Sequence, residues 1–412
     1  MAKQIFETIH SCRACGYDCL VDILDLGRQP LANSLVKHQN DPPQKFPLST
    51  AFCPRCSLFQ LKETIPKEIL FDHYVWVTGT AKGTLEYAGL FAQRVIQRAK
   101  LKKGNLVLEI ASNDGTVLKQ FIAQEMDVLG IEPAKNITDI ALKQGVRTEA
   151  TYWDVDVAKG VINRYGHPEV VIARNVIPHV SELHNVIEGI ALALSDNGTG
   201  VIEFHSGEVI ADMLHYDSIY HEHLCYFTVH SLTQLLERYG LYSWGADVSP
   251  ISGGSIVLYF SKAKITPEPE YLALLQREKE SGVNNCETWE RFGCEAKVHR
   301  EKTLSILKEL SNKKMVGFGA SARSATFMNF CGIDHKYLQA VIDNNPIKQG
   351  YMTPAGDVPI VSIEPGMALK PEIIFILAWN FKDEIIEQCK KHGFKGEYIL
   401  PFPHYPHIIH GE

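Results

Sequence analysis

Between Asn105 and about residue 205, short apolar runs alternate with helix-length amphipathic stretches: NLVLEI, then VLGIEP, EVVIARNV and GTGVIEFH. Apolar strands spaced by helices predict a parallel, doubly wound sheet covered on both faces. Such sheets bind ligands at the carboxyl ends of their strands, so the residues closing each run, Glu109, Glu132, Asn175 and His205, are the ones to inspect. Upstream, residues 71–100 start aromatic and become helical, with Leu85, Leu90, Phe91 and Val95 at helical spacing. Downstream, HYDSIYHEHLCYFTVHSL fits no simple period, SPISGGSIVLYFSK reads as a strand with a Gly-rich turn, and residues 265–312 read as a charged helical connector with a solvated face. A second α/β unit follows in KKMVGFGASARSATFMNF, YLQAVIDNN, PEIIFILAW and GEYILP, while residues 1–70 are turn-rich and weakly periodic. The pattern therefore predicts three parts: a small module over 1–70, an α/β domain over 71–300 and a second α/β domain over 301–412.

Composition narrows the partners. A chain of 412 residues, 45% hydrophobic, can bury a large core, and its net charge of −7 without a dense basic run gives no footprint for nucleic acid. The first residues lack the apolar core of a signal peptide, and no stretch approaches the roughly 20 apolar residues of a membrane span. The expectation is a cytoplasmic protein whose ten cysteines stay reduced, which makes metal binding the leading reading of any clustered pair.

Such pairs are present. Cys12, Cys15, Cys53 and Cys56 form two Cys-x-x-Cys turns able to bring four thiolates to one tetrahedral zinc, a closed set with no position for water and hence structural; Cys19 is surplus. In VLEIASNDGT, Glu109 precedes a tight turn with Asn113, Asp114 and Gly115, and Glu132 closes the next strand, where a carboxylate can take both hydroxyls of a ribose. The missing G-x-G-x-x-G favours S-adenosylmethionine over a dinucleotide, because a pyrophosphate needs glycines for close approach. Tyr220-His221-Glu222-His223 crowds two imidazoles, a phenol and a carboxylate into four residues, costly to bury unless paired; a catalytic cluster, a second metal site and a polar turn all fit it. His179, in NVIPHV, is a weaker candidate, since a lone loop histidine is more often structural. Gly317, Gly319, Ser321 and Arg323 lie in a Gly-rich strand-to-helix turn that fits either a diphosphate cradle or simple packing.

Taken together, the cysteine quartet, LDLGRQPLANSL, LFDHYVWVTGTA, EIASNDGT, GIEPAKNI, NVIPHV, YDSIYHEHLCYF, GFGASARSATFMNFCGI, DNNPIKQG and AWNF resemble the sugar C-methyltransferase family, nearly end to end. That resemblance implies an amino-terminal zinc module, a central class I (Rossmann-like) methyltransferase domain and a C-terminal Rossmann-like domain that helps hold a nucleotide-linked 4-keto-deoxysugar, methylated at carbon three. By position it makes His223 the general base, makes Tyr220, Glu222 and His179 its neighbours, and puts Tyr74 beside the methyl donor. A nicotinamide-dependent sugar oxidoreductase, a methyltransferase acting on a different carbon acid and a non-catalytic zinc scaffold are the competing readings. A monomer and a dimer fit the sequence equally.

Overall fold

The computed structural model describes residues 5–37, 43–71, 78–80, 82–354 and 357–410. At the amino end, β1 (Val21–Pro30), β2 (Lys45–Phe52) and β3 (Phe59–Leu61) form an antiparallel meander. Helix α1 (Lys82–Ala99) then leads into the central sheet. The expected helix is present, its buried stripe is Tyr87, Ala88, Phe91, Ala92 and Val95, and Leu85 and Leu90 of the helical spacing face solvent. Small residues at 88 and 92 let the helix sit close, and the face they define runs past both leucines.

The central domain contains β4 (Leu106–Ile110), α2 (Thr116–Ile122), β5 (Asp127–Ile131), β6 (Thr148–Glu149), β7 (Val170–Arg174) and β8 (Thr199–His205). After β9 (Cys225–Tyr226) come β10 (Tyr242–Ser249) and β11 (Ser255–Ser261). The seven-stranded order is β6-β5-β4-β7-β8-β11-β10, parallel from β6 to β8, with β11 antiparallel to β8 and β10 antiparallel to β11. The chain reverses direction across the sheet between β4 and β7, so the ligand crevice opens at their carboxyl ends.

Strand β9 belongs elsewhere. It pairs with β3, Cys225 opposite Gln60 and Tyr226 opposite Phe59, and makes the amino-terminal sheet four-stranded. Residues immediately after the YHEH run thus complete the cysteine-bearing module.

Helix α3 (Cys286–Glu309) does more than connect. The expected solvated face is present, but Trp289, Phe292, Ala296, His299, Thr303 and Leu307 are buried at helical spacing. Trp289 stacks on Phe59 with ring centroids 3.9 Å apart, and Gly293 lies so close to β1 that a Cβ would sit 2.5 Å from the Ile23 carbonyl oxygen. The boundary drawn near residue 300 falls inside this helix, because its first half packs on the amino-terminal module and its second half on the last domain.

That last domain contains β12 (Met315–Phe318), α4 (Ala322–Cys331), β13 (Val341–Ile342), β14 (Ile360–Val361), β15 (Ile373–Ile376), β16 (Glu397–Leu400) and β17 (His407–His410), in the order β14-β13-β12-β15-β16-β17. All neighbours are parallel except β17. It is a second doubly wound sheet, and its order reverses between β12 and β15, beside the Gly-rich turn. Val36 and Met352 exchange backbone hydrogen bonds, so the first and last parts also touch directly. Among the described residues no helix is long and apolar enough to cross a membrane.

Candidate active site

Two Cys-x-x-Cys turns bring the four expected sulfurs within 4.8 Å of one another, with Cys12 to Cys56 and Cys15 to Cys53 each at 3.5 Å. Zinc bonded to sulfur at about 2.3 Å spaces the sulfurs of an ideal tetrahedron by roughly 3.8 Å, so the donor set fits the ion. Electrostatics agrees. Hydrogen bonds from Cys53 and Cys56 pull the Cys12 thiol down, and the same bonds to Cys12, with burial and charge repulsion adding to them, push Cys53 and Cys56 up. Arg13, between the first two ligands, donates to the Leu61 and Glu63 carbonyls and to Thr64 Oγ1, tying the knuckle to β3.

At the carboxyl end of β4 the chain turns through Ala111, Asn113 and Gly115, all at positive φ (53°, 51° and 75°), and enters α2. Beyond β5, Glu132 Oε2 accepts from the Asn113 amide at 3.0 Å and Oε1 from the Ala134 amide at 2.9 Å. Each oxygen retains a second lone pair, which suits a ribose diol. Asn113 Oδ1 accepts from the Thr78 amide and Asp114 Oδ2 from the Gly79 amide, so the segment ahead of α1 folds onto this turn. Glu109 is 3% exposed with Oε2 unpartnered among the described residues, and burial pushes its carboxyl up to about 8. Asn175 follows β7 at φ 50°, its amide donating to the Glu203 carbonyl. Tyr74 lies outside the described residues.

Beneath this turn is a charge network not anticipated from the sequence. Glu203 is fully buried, accepts from Arg174 Nε at 2.8 Å, Tyr87 Oη at 2.6 Å and Ser249 Oγ at 2.8 Å, and so neutralises an arginine inside the sheet. The available signal was a charged residue within each of the apolar runs EVVIARNV and GTGVIEFH.

The YHEH segment lies beside the loop that follows β7, tied to it where the Leu224 amide donates to the Pro178 carbonyl at 2.7 Å. His179 and His223 meet edge to face with centroids 4.6 Å apart, and Tyr220 lies on His223 at 4.0 Å. His223 Nδ1 is 2.8 Å from the Ser218 carbonyl oxygen. A carbonyl only accepts, so Nδ1 carries the proton and Nε2 presents the lone pair. Burial, with His179 next in effect, holds the His223 pKa well below the usual imidazole value and keeps the ring neutral at pH 7. Burial also lowers His179, to about 4, and lifts Glu222 to about 7 against the pull of Asn33, whose Nδ2 donates to Glu222 Oε1 at 2.6 Å. Asn33, from LANSL in the amino-terminal module, is a site residue that sequence reasoning missed. His221 points the other way, donating from Nε2 to the Pro47 carbonyl and packing on Phe46, and serves as an anchor.

A cleft of about 410 Å³ lies between Asn33 and its neighbours on one side and the start of α4 with Lys348 and Tyr351 on the other. Of the four residues expected to hold substrate, only Ser321 lines it. Gly317 and Gly319 pack against Leu377 and Ala378, where a Cβ would come within 2.8 and 2.3 Å of side-chain carbons. Arg323 turns away: its Nε and Nη2 fork onto Asp217 at 3.0 and 2.8 Å, and its guanidinium lies over Trp379. Lys348, 2.7 Å from the Ala320 carbonyl, is the cation on the cleft wall.

Comparison with known proteins agrees with this architecture. Residues 12–71 match the family model of a zinc binding domain, 85–244 that of a methyltransferase domain, and 250–403 that of the C-methyltransferase C-terminal domain. The C-methyltransferase NovU of Streptomyces niveus is 29% identical over 417 residues, spanning 100% of this chain and 99% of the relative. Solved structures align with less than half of the chain. Magnesium protoporphyrin IX methyltransferase from Synechocystis is 12% identical over 44% of this chain and 80% of its own (TM-score 0.34), and a TehB-like methyltransferase from Corynebacterium glutamicum is 19% identical over 42% and 87% (TM-score 0.31). Fold, site and matched domains define an S-adenosylmethionine-dependent methyltransferase. The match of its last domain and the likeness to a C-methyltransferase along the whole chain make carbon the methyl acceptor and set aside the nicotinamide and scaffold readings.

Proposed function

We propose that this enzyme methylates carbon three of a nucleotide-linked 4-keto-deoxysugar through an enolate. The observation that carries the reading is the Nδ1–H···O=C bond of His223, which leaves Nε2 as a neutral base among His179 and Tyr220. Nε2 takes the proton from carbon three. The C–H electron pair becomes the enolate double bond, and charge moves to the oxygen on carbon four, where Tyr220 donates to it while His179 packs against the base. The 111–115 turn and Glu132 would hold S-adenosylmethionine, which would supply an electrophilic methyl group to carbon three as its methyl–sulfur bond broke with the electron pair left on sulfur. The proton held on His223 Nε2 then leaves to solvent.

The cleft between Asn33 and α4 suits the nucleotide portion, with Ser321 and Lys348 toward the diphosphate. Asn33 belongs to both the cleft and the Glu222 hydrogen bond, which puts the sugar end next to the base. Reduced thiols in a zinc-fitting set support a cytoplasmic enzyme.

The test is hydrogen exchange at carbon three of thymidine- and guanosine-diphosphate-linked 4-keto sugars in deuterated water, followed by NMR, before and after adding S-adenosylmethionine. Wild type exchanges and then methylates one of them, and His223→Asn does neither while still binding S-adenosylhomocysteine. Equal exchange by the variant and wild type removes His223 from the role of base. No exchange and no methylation with any of these sugars sinks the substrate class.

A further inference from the structure

Four consecutive residues ahead of the YHEH run are each held from outside the central domain or hold the base. Tyr216 Oη lies 2.8 Å from His299 Nδ1 on α3, and His299 Nε2 donates to the Pro401 carbonyl. Asp217, 1% exposed, takes the two-pronged bond from Arg323 and a third from Trp379 Nε1 at 2.8 Å. Ser218 offers the carbonyl that accepts from His223 Nδ1. The carbonyl of Ile219 accepts from Thr326 Oγ1 at 2.9 Å. Arg323 and Thr326 stand one turn apart on the same face of α4, so a single helix of the last domain grips the chain on both sides of Ser218, by the Asp217 carboxylate and the Ile219 carbonyl.

We propose that Arg323, Thr326 and Asp217 are positioning residues which fix the tautomer of His223. Their task is to hold the Ser218 carbonyl where it demands a proton on Nδ1, so that the lone pair resides on Nε2. Arg323 suits this because a guanidinium meets a carboxylate at two points in one plane and sets an angle as well as a distance, whereas a lysine sets only a distance. The last domain then assembles the base in addition to lining the substrate cleft: the central sheet can bind its methyl donor alone, but the base is correctly protonated only when α4 is docked. The same geometry explains why Arg323 does not line the cleft.

This inference rests on His223 being the base, and the experiment separates the two. The tautomer is read without substrate, from the nitrogen-15 shifts of the His223 imidazole in the full chain, assigned by the signal lost in His223→Asn. Wild type shows the Nδ1–H form. Thr326→Val keeps the side-chain shape while removing the donor, and Asp217→Asn weakens the fork; both shift His223 toward a mixture of tautomers, while Arg323→Lys is intermediate. S-adenosylhomocysteine affinity, the control for folding and the donor site, stays within about twofold of wild type, and methyl transfer to the accepted 4-keto sugar falls on the order of tenfold per lost bond with KM little changed. A wild-type tautomer pattern in both Thr326→Val and Asp217→Asn overturns the positioning role whatever their rates. Retained turnover in His223→Asn overturns the base assignment and leaves the tautomer result standing.

Discussion

Loss of the zinc ligands should disable catalysis without disabling donor binding, and the structure gives the size of the effect. Replacing Cys56 with Ser leaves three sulfurs for an ion that takes four, and structural zinc affinity is coupled to folding of the module that holds it. Beyond the pairing of β3 with β9, that module meets the YHEH segment and Leu224 through hydrogen bonds that include Leu61 amide to Leu224 carbonyl at 2.9 Å, Asn33 to Glu222 at 2.6 Å, and His221 to the Pro47 carbonyl at 2.9 Å. At about 1 kcal/mol each, loss of these three removes about 3 kcal/mol of preference for the ordered segment, a rate loss of roughly 150-fold. The turn at 111–115 and Glu132 belong to the central sheet and share none of these bonds. The assay is zinc content by mass spectrometry beside S-adenosylhomocysteine binding by calorimetry and methyl transfer by NMR. Zinc-free protein turning over within a few-fold of wild type would refute the coupling, and so would donor affinity that falls in parallel with the rate.

Other outcomes follow from the same geometry. Asn33→Leu removes the donor that restrains Glu222, so its carboxyl moves further above 7, the pH profile of kcat shifts upward and the rate drops about tenfold; an unchanged profile would remove Asn33 from the site. Gly115→Ala places a Cβ 2.8 Å from Val146 at φ 75°, a strain of about 1–2 kcal/mol before any displacement, and should weaken S-adenosylhomocysteine binding about tenfold; an unaltered Kd would contradict it. Stability should peak near pH 6.5. Burial raises Glu109 and Glu222 from 4.5 to about 8 and about 7, so above 6.5 the unfolded chain holds fewer protons and stability falls as pH rises. Burial lowers His179, His221 and His299 from 6.5 to about 4, so below 6.5 the unfolded chain gains protons first, and these histidines outweigh the two acids as pH falls. Urea midpoints rising steadily from pH 6.5 to 8.5, on the alkaline flank set by those acids, would contradict this.

How much of this was legible depended on how local each feature is. The central sheet is written in alternating apolar runs, the zinc site in two short spacings, and the polar density of YHEH needs no partner to be noticed. The partner of Glu222 is 189 residues away in the chain and that of Arg323 is 106 away, and contacts at such separations leave no periodic trace. Strand β9 is two residues long, below what alternation can reveal, although its pairing with β3 decides which domain the catalytic segment is built on. The spacing of Leu85, Leu90, Phe91 and Val95 marks the helix without saying which face is buried, because smaller neighbours, Ala88 and Ala92, define that face.

The pairing of β9 with β3 also bears on how the chain is made. Phe59, Gln60 and Leu61 are completely buried, and among the described residues their outer edge is met by residues 224–226. During synthesis, the cysteine module emerges more than 150 residues before the strand that closes it, with an apolar edge open to any other extended chain. A fragment cut after residue 70 would keep that edge permanently, and should self-associate through it.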